Sequence, residues 1–298
     1  MGVKGLYTYL RKYQKHRPYM CSEPPLRIGF DAMSMLYTYK ASFPEMYPLL
    51  KELKDAGHTL LFVFDGKPPT EKEAEVKERR DLRTSATSQA DVLRESLRDP
   101  GLGAQERSIL EYSLARLEFQ GWHMTREIRH TVQQVLWTLD IPYVKAMGEA
   151  DEVLTELVGA KKLDVVVSTD MDFLLSGVPR LWIPSRTNHT VVEEILMEKV
   201  LAGEGMTLEM FRDAGILCGV EALRGRVSIQ STMAFSWIRY YKSIEGLLLS
   251  TIKEPQFAEL KDPASVERVR AHFTMKGEWK ETIRPDHFKR FAVFLEAL

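Results

Sequence analysis

The chain has 298 residues, 44% of them hydrophobic, with 41 Lys and Arg against 42 Asp and Glu and a formal net charge of −1. That is apolar material for one large α/β domain with an appendage. The even charge excludes a polycation, so any nucleic-acid site has to be a local basic patch. Two cysteines, Cys21 and Cys218, with no CxxC pair, speak against a disulfide framework or a structural zinc and fit a reducing, intracellular setting. No apolar run is long enough to predict a membrane span or a signal peptide, and no membrane partner is expected.

Residues 2–13 carry Leu6, Tyr9, Leu10 and Tyr13 at helical spacing and predict a short amphipathic helix; 18–25 reads as a loop. Residues 26–31 (LRIGFD) form an apolar strand that stops on Asp31. Residues 34–39 turn straight into a helix that places Tyr37 near the sheet edge. A further helix spans 44–57, with Met46, Leu49, Leu50 and Leu53 on one face and Gly57 as its stop. A second strand, 59–65 (TLLFVFD), ends on Asp65, and Gly66-Lys67-Pro68-Pro69 reads as a rigid turn. Residues 71–98 are charge-rich and poor in core formers. Lys72, Val76, Arg79 and Arg83 fall on one helical stripe, with Arg80 beside it. After the break at Asp99-Pro100-Gly101, residues 105–119 return as a helix with Leu110, Leu114 and Leu117. The pair reads as a two-helix excursion from the sheet; the plain alternative is a solvated hairpin of mixed charge.

Residues 125–139 predict a core helix and 141–145 a short strand. Gly148-Glu149-Ala150-Asp151-Glu152 opens the next helix, where acids either suit the macrodipole or ligate. Within 163–177 (LDVVVSTDMDFLLSG) the run Val165, Val166, Val167 reads as a strand buried on both faces, followed by Ser168, Thr169, Asp170 and Asp172. A strand near 180–183, a turn and a helix over 192–201 come next, and Gly203 and Gly205 mark a boundary. Beyond it the chain reads as helical. Leu208, Phe211, Gly215 and Cys218 line one helix, 219–230 is a connection, and Ser231 is the expected N-cap of a helix with Met233, Ala234, Trp237, Ile238 and Tyr241. Another helix is expected over 243–252. The last forty residues carry no readable motif.

Three strands thus run into aspartates. Ligands of an open parallel sheet bind outside the carboxyl ends of its strands, so Asp31, Asp65, Asp170 and Asp172 are expected to meet on one edge. Two unit charges 4 Å apart repel by roughly 4 kcal/mol at an effective dielectric near 20. Such a cluster calls for cations, and hard oxygen donors select Mg²⁺ or Mn²⁺.

MGVKGL, IGFDAMSMLY, FVFDGKPP, GEAD and STDMDFLLSG stand in this order along the chain. Together they resemble the flap endonuclease family of structure-specific 5′ nucleases, over roughly residues 1–248. The resemblance implies an α/β fold, a mostly parallel sheet flanked by helices (the PIN-like 5′-nuclease fold). A nuclease core of 1–205 would carry a helical arch at about 68–120. A helical DNA-binding region, 206–298, would hold a helix–two-turn–helix-like element at about 207–250. The resemblance also implies two Mg²⁺ ions, replaceable by Mn²⁺, held by Asp31, Asp65, Glu149, Asp151, Asp170, Asp172 and Glu221, which serve water activation and leaving-oxygen stabilisation. Lys72 and Arg79 would contact the scissile phosphate, and Arg80 and Arg83 would follow the single strand. Tyr37 would stack on a base beside the cut, or else simply pack its helix. Gly2 would leave room for DNA, or else is an ordinary chain end.

The chain also departs from the family pattern. The glycine-rich hairpin of the helix–two-turn–helix reads Ser228-Ile229-Gln230 here, which counts against close phosphate approach and against K⁺. Glu221 stands where Asp is usual. Asp31 and Asp65 are close in sequence, so the wedge between duplexes should be short. The end, HFKRFAVFLEAL, has no clamp-binding box or basic tail, so no sliding-clamp contact is expected; this compact, tail-less form resembles that of large-DNA-virus members. The expected activity is Mg²⁺-dependent hydrolysis of DNA at 5′ flaps or 5′ ends in replication, repair or recombination, in the nucleus or at viral cytoplasmic replication sites. Two alternatives stay open: a junction-binding protein that does not cut, and a haloacid-dehalogenase-type phosphatase, since Asp170-Met171-Asp172 follows a strand. RNA as substrate also stays open.

Overall fold

The computed structural model describes residues 2–20, 24–67, 73–185, 187–220, 223, 227–250, 252 and 254–298. The chain divides into two compact units, one of 1–66 with 135–298 and one of 67–134.

The larger unit is built on a seven-stranded sheet. In chain order its strands are β1 (Lys15–Pro18), β2 (Arg27–Asp31), β3 (Thr59–Phe64), β4 (Tyr143–Lys145), β5 (Val165–Val167), β6 (Arg180–Pro184) and β7 (Val191–Leu196). Their spatial order is β1-β7-β6-β5-β2-β3-β4. β6-β5-β2-β3-β4 are parallel neighbours, and β7 and β1 add an antiparallel edge. The central strands are apolar on both faces, as a sheet covered by helices requires; Phe30 and Phe62 of neighbouring strands stack at 4.5 Å between ring centroids. Order along the sheet reverses at β2, which lies between β5 and β3. That is a topological switch point, where α/β sheets open a crevice at their carboxyl ends.

Helices α1 (Leu6–Leu10), α2 (Ala32–Tyr39) and α3 (Tyr47–Asp55) precede β3, and α7 (Ala150–Gly159) and α8 (Asp172–Leu175) flank β5. The short run 40–46 before α3 is a 3₁₀ helix. After β7 come α9 (Met197–Glu204), α10 (Leu208–Gly219), α11 (Ser231–Tyr241), α12 (Ile244–Leu248), α13 (Pro263–His272) and α14 (Pro285–Ala297). One continuous core joins them to the sheet, running from Val166 and Leu181 through Phe211 and Phe235 to Leu295.

Three expectations are corrected. Residues 191–196 are a strand, not the start of a helix: Val192, Ile195, Leu196 and Val200 suit a helical stripe, but pairing with β6 satisfies both backbones, and the helix begins only at Met197. Within the expected 18–25 loop, Pro18 ends β1, an edge strand with no apolar alternation to announce it. Ser231 is not the N-cap: Gln230 holds that position, and Ser231 Oγ donates to the Lys4 carbonyl at 3.3 Å. The unread C-terminal stretch forms α13 and α14, pinned from α7 by the buried Glu156, whose carboxylate accepts the N–H of Lys276 at 3.1 Å and of Glu278 at 2.7 Å.

The smaller unit holds α4 (Glu73–Ser96), α5 (Ala104–Gly121) and the first part of α6 (Arg126–Thr138). α5 returns along α4. Ala86 and Ala90 of α4 are buried, and a Cβ at Gly121 of α5 would come within 2.8 Å of Thr87 Oγ1. Arg94 pairs with Glu118 at 2.8 Å, and Arg107 holds the carbonyls of Leu97 and Asp99 in the turn.

Candidate active site

Four adjacent parallel strands deliver acids to one edge. Asp31 is the last residue of β2 and the N-cap of α2; its Oδ1 accepts the Ser34 N–H at 3.0 Å and its Oδ2 the Ser168 hydroxyl at 2.8 Å. Asp65 follows β3, and its Oδ1 accepts the N–H of Ala150, the first residue of α7, at 2.9 Å. This bond caps α7 from another strand, so Glu149, at the N-cap position, does not use its own side chain for that purpose. Asp151 lies in the first turn, where its Oδ1 accepts the Glu152 N–H at 2.7 Å. Beyond β5, Asp170 donates its N–H to Ser168 Oγ at 3.1 Å, and its Oδ1 accepts the N–H of Asp172, which begins α8, at 3.0 Å.

Close backbone approach draws these segments together. A Cβ on Gly66 would lie 2.1 Å from the Ala146 carbonyl oxygen, and the Gly66 N–H donates to the Gly148 carbonyl at 2.7 Å. The turn after Asp65 therefore packs against the residues that lead into Glu149. At the chain start, Gly2 has φ +71° and lies against the acids that follow β5: its Cβ would be 2.1 Å from Asp170 Oδ1 and 3.1 Å from Asp172 Oδ1.

The charges act on one another. Burial, first, and then the nearby carboxylates Asp65 and Asp170 push the Asp31 carboxyl up to about 7, against the donors Ser34 and Ser168. Burial and the Glu156 charge, with a smaller part from Glu149, likewise raise Glu152. Among the described residues no group of three or more His, Cys, Asp or Glu stands at a spacing to hold an ion. The donors at this edge are carboxylate oxygens throughout, a donor type that suits a hard divalent cation, and such a cation would relieve the repulsion that adds to the effect of burial on Asp31.

The other expected residues fall elsewhere. Tyr37 is on α2, half-buried; Arg79 and Arg83, half-buried, and Arg80, exposed, are on α4 of the smaller unit. Lys72 and Glu221 lie outside the described residues. In the altered hairpin, Ser228 gives its N–H to Gln256 Oε1 at 2.7 Å and Ile229 gives its own to the Leu217 carbonyl at 2.8 Å. Sequence reasoning missed the hydroxyls of Ser34, Ser168 and Thr169, which bond between the strands; the only hint was two polar residues set between a strand and Asp170.

The XPG I-region family model matches residues 140–221, the stretch from β4 past α10. Flap endonuclease 1 of Entamoeba dispar is 30% identical over 277 residues, spanning 83% of this chain and 69% of that protein. Flap endonuclease 1-B of Physcomitrium patens is 29% identical over 302 residues, 92% of this chain and 81% of that one. Among solved structures, the catalytic core of Rad2 in complex with DNA substrate superposes with a TM-score of 0.59 at 16% identity, over 99% of this chain and 94% of the other; that likeness is one of fold. With these relatives spanning both the sheet and the helices behind it, the chain belongs to the flap endonuclease family.

Proposed function

We propose that this chain is a divalent-metal-dependent, structure-specific nuclease that hydrolyses DNA phosphodiesters at 5′ flaps or 5′ ends. The observation that carries the reading is the delivery of Asp31, Asp65 and Asp170 by neighbouring parallel strands to one edge. Membership of the flap endonuclease family supports it.

In this reading Asp31, Asp65, Glu149, Asp151, Asp170, Asp172 and Glu221 hold two Mg²⁺ ions, for which Mn²⁺ substitutes. When bound, the ions supply Lewis acidity and a water acidified toward neutral pH. The protein's own part is to aim carboxylate oxygens at the edge and fix their separation until cations arrive. Hydrogen bonds from Ser34, Ser168 and the Asp172 N–H do this for Asp31 and Asp170. Lys72 and Arg79 are assigned to neutralise charge on the scissile phosphate, Arg80 and Arg83 to the single strand, and Tyr37 to stacking on a base. Gly2 is assigned to keep the approach to Asp170 open. No K⁺ and no sliding clamp enter the proposal.

The test is cleavage of a labelled 5′-flap substrate with Mg²⁺. Wild type should cut next to the branch and stop on chelation, and Asp170→Ala should lose product by at least about 100-fold. Equal cleavage by the variant refutes the assigned site. Salt-dependent DNA affinity with no product identifies a binding protein instead, and turnover of small phosphomonoesters without DNA cleavage identifies a phosphatase.

A further inference from the structure

Two serines and a threonine form a hydrogen-bonded brace across the β2–β5 boundary. Asp31 and Ser168 stand side by side, one residue beyond the paired Phe30 and Val167. The fully buried Ser168 hydroxyl donates to Asp31 Oδ2 at 2.8 Å and accepts the Asp170 N–H at 3.1 Å, so one oxygen engages acids from two strands. On the other side the Ser34 N–H holds Asp31 Oδ1 at 3.0 Å. The Ser34 hydroxyl accepts the Thr169 N–H at 2.7 Å and shares a 2.8 Å hydrogen bond with Thr169 Oγ1. With the peptide bond between Ser168 and Thr169 these hydrogen bonds close a ring: Asp31, Ser34, Thr169, Ser168 and back to Asp31. Each Asp31 oxygen takes one donor from the protein side, and a carboxylate oxygen has a second lone pair to give.

We infer that Ser168 and Ser34 are positioning residues for the divalent centre, setting the separation of Asp31 and Asp170 before any cation binds. The inference rests on the metal-dependent reading above and deepens it. Like charges on neighbouring strand ends drift apart unless something fixes them, and a brace made from backbone N–H groups and hydroxyls adds no charge of its own. Loss of groups that orient ligands costs about 10- to 100-fold in metal affinity. Thr169 contributes its N–H, which any residue retains, and a hydroxyl that serine also supplies.

Mn²⁺ binding to the full-length protein, followed by the electron paramagnetic resonance of free Mn²⁺, tests this without any turnover. Ser168→Ala and Ser34→Ala should each weaken Mn²⁺ binding about 10-fold or more, while Thr169→Ser stays within about twofold of wild type. Circular dichroism melting accompanies each variant. Should Ser168→Ala fail to fold, Ser34→Ala decides, because its hydroxyl is only partly buried. Wild-type Mn²⁺ affinity in a folded Ser34→Ala or Ser168→Ala overturns the brace, and so does equal weakening by Thr169→Ser. A wild type that binds no Mn²⁺ overturns the brace and the divalent centre together. Mn²⁺ binding that depends on Ser168 in a protein that cuts no flap upholds the brace and removes only the nuclease reading.

Discussion

Gly2 shows how one atom bears on the site. A methyl at this position would lie 2.1 Å from Asp170 Oδ1, and the backbone sits at φ +71°, where a Cβ is strained. Gly2→Ala therefore either rotates the Asp170 carboxylate or lifts the chain start away from the edge. Rotation leaves the core as it is, and burial of Val3, the next residue, resists the lift. The expected outcome is a fall in flap-cleavage kcat of at least about 10-fold, since a misplacement near 1 Å costs rate steeply, with a melting temperature that hardly moves. A Gly2→Ala enzyme with wild-type kcat would show that the chain start shifts freely. At this scale the sequence was informative about acids and silent about what holds them. Asp31, Asp65 and Asp170 could be read because each ends an apolar run. The partnership of Ser168 with Asp31 joins residues 137 positions apart, and a serine carries no periodicity by which to find its partner.

The elements were legible to the degree that burial imposed a pattern on them. β2, β3 and β5 are buried on both faces, so their apolar runs announce themselves. β7 mixes buried and half-buried residues over Val191–Leu196, with Glu194 and Ile195 both buried, and VVEEIL followed by MEKV also suits a helical repeat; pairing across the turn to β6 decided it. The C-terminal helices lacked motifs because ion pairs, not a long apolar stripe, tie part of that region together. Arg270 of α13 pairs with the buried Asp213 of α10 at 2.7 Å and grips Glu245 of α12 with both terminal nitrogens, at 2.6 and 2.9 Å. The Arg270 hydrogen bonds hold the Glu245 carboxyl down at about 2. A carboxyl depressed in the folded state stabilises above its unfolded value, near 4.5, and loses that contribution as pH falls from there toward 2. Glu245 is half-exposed, so solvent screening limits the effect to about 1 kcal/mol. Urea midpoints measured from pH 6 to pH 2.5 should therefore separate wild type from Glu245→Gln at pH 6 and bring them together at the acid end. Parallel curves throughout would mean that the pair contributes nothing.

On the scale of the whole molecule, charge limits how DNA can be held. With 41 basic and 42 acidic side chains, long-range attraction is weak, and affinity has to come from cations concentrated locally. Within the 67–134 unit, itself evenly charged, the stripe on α4 gathers three arginines: Arg80 is exposed and Arg79 and Arg83 half-buried, while Ala86 and Ala90 are small buried contacts further along that helix. An exposed arginine that meets phosphate releases a counterion, and a single-strand contact contributes about −0.7 to the slope of log K against log salt. Replacing Arg80 and Arg83 together with Gln should flatten that slope by roughly 1.4 on a flap with a long 5′ single strand. On a nicked duplex without a flap the slope should stay as it was. Both substrates are read by fluorescence anisotropy without divalent ions, so cleavage cannot intrude. If both slopes flatten, the stripe meets duplex rather than single strand; if neither does, it is a solvated face, and the cations that hold DNA belong to the helices behind the sheet.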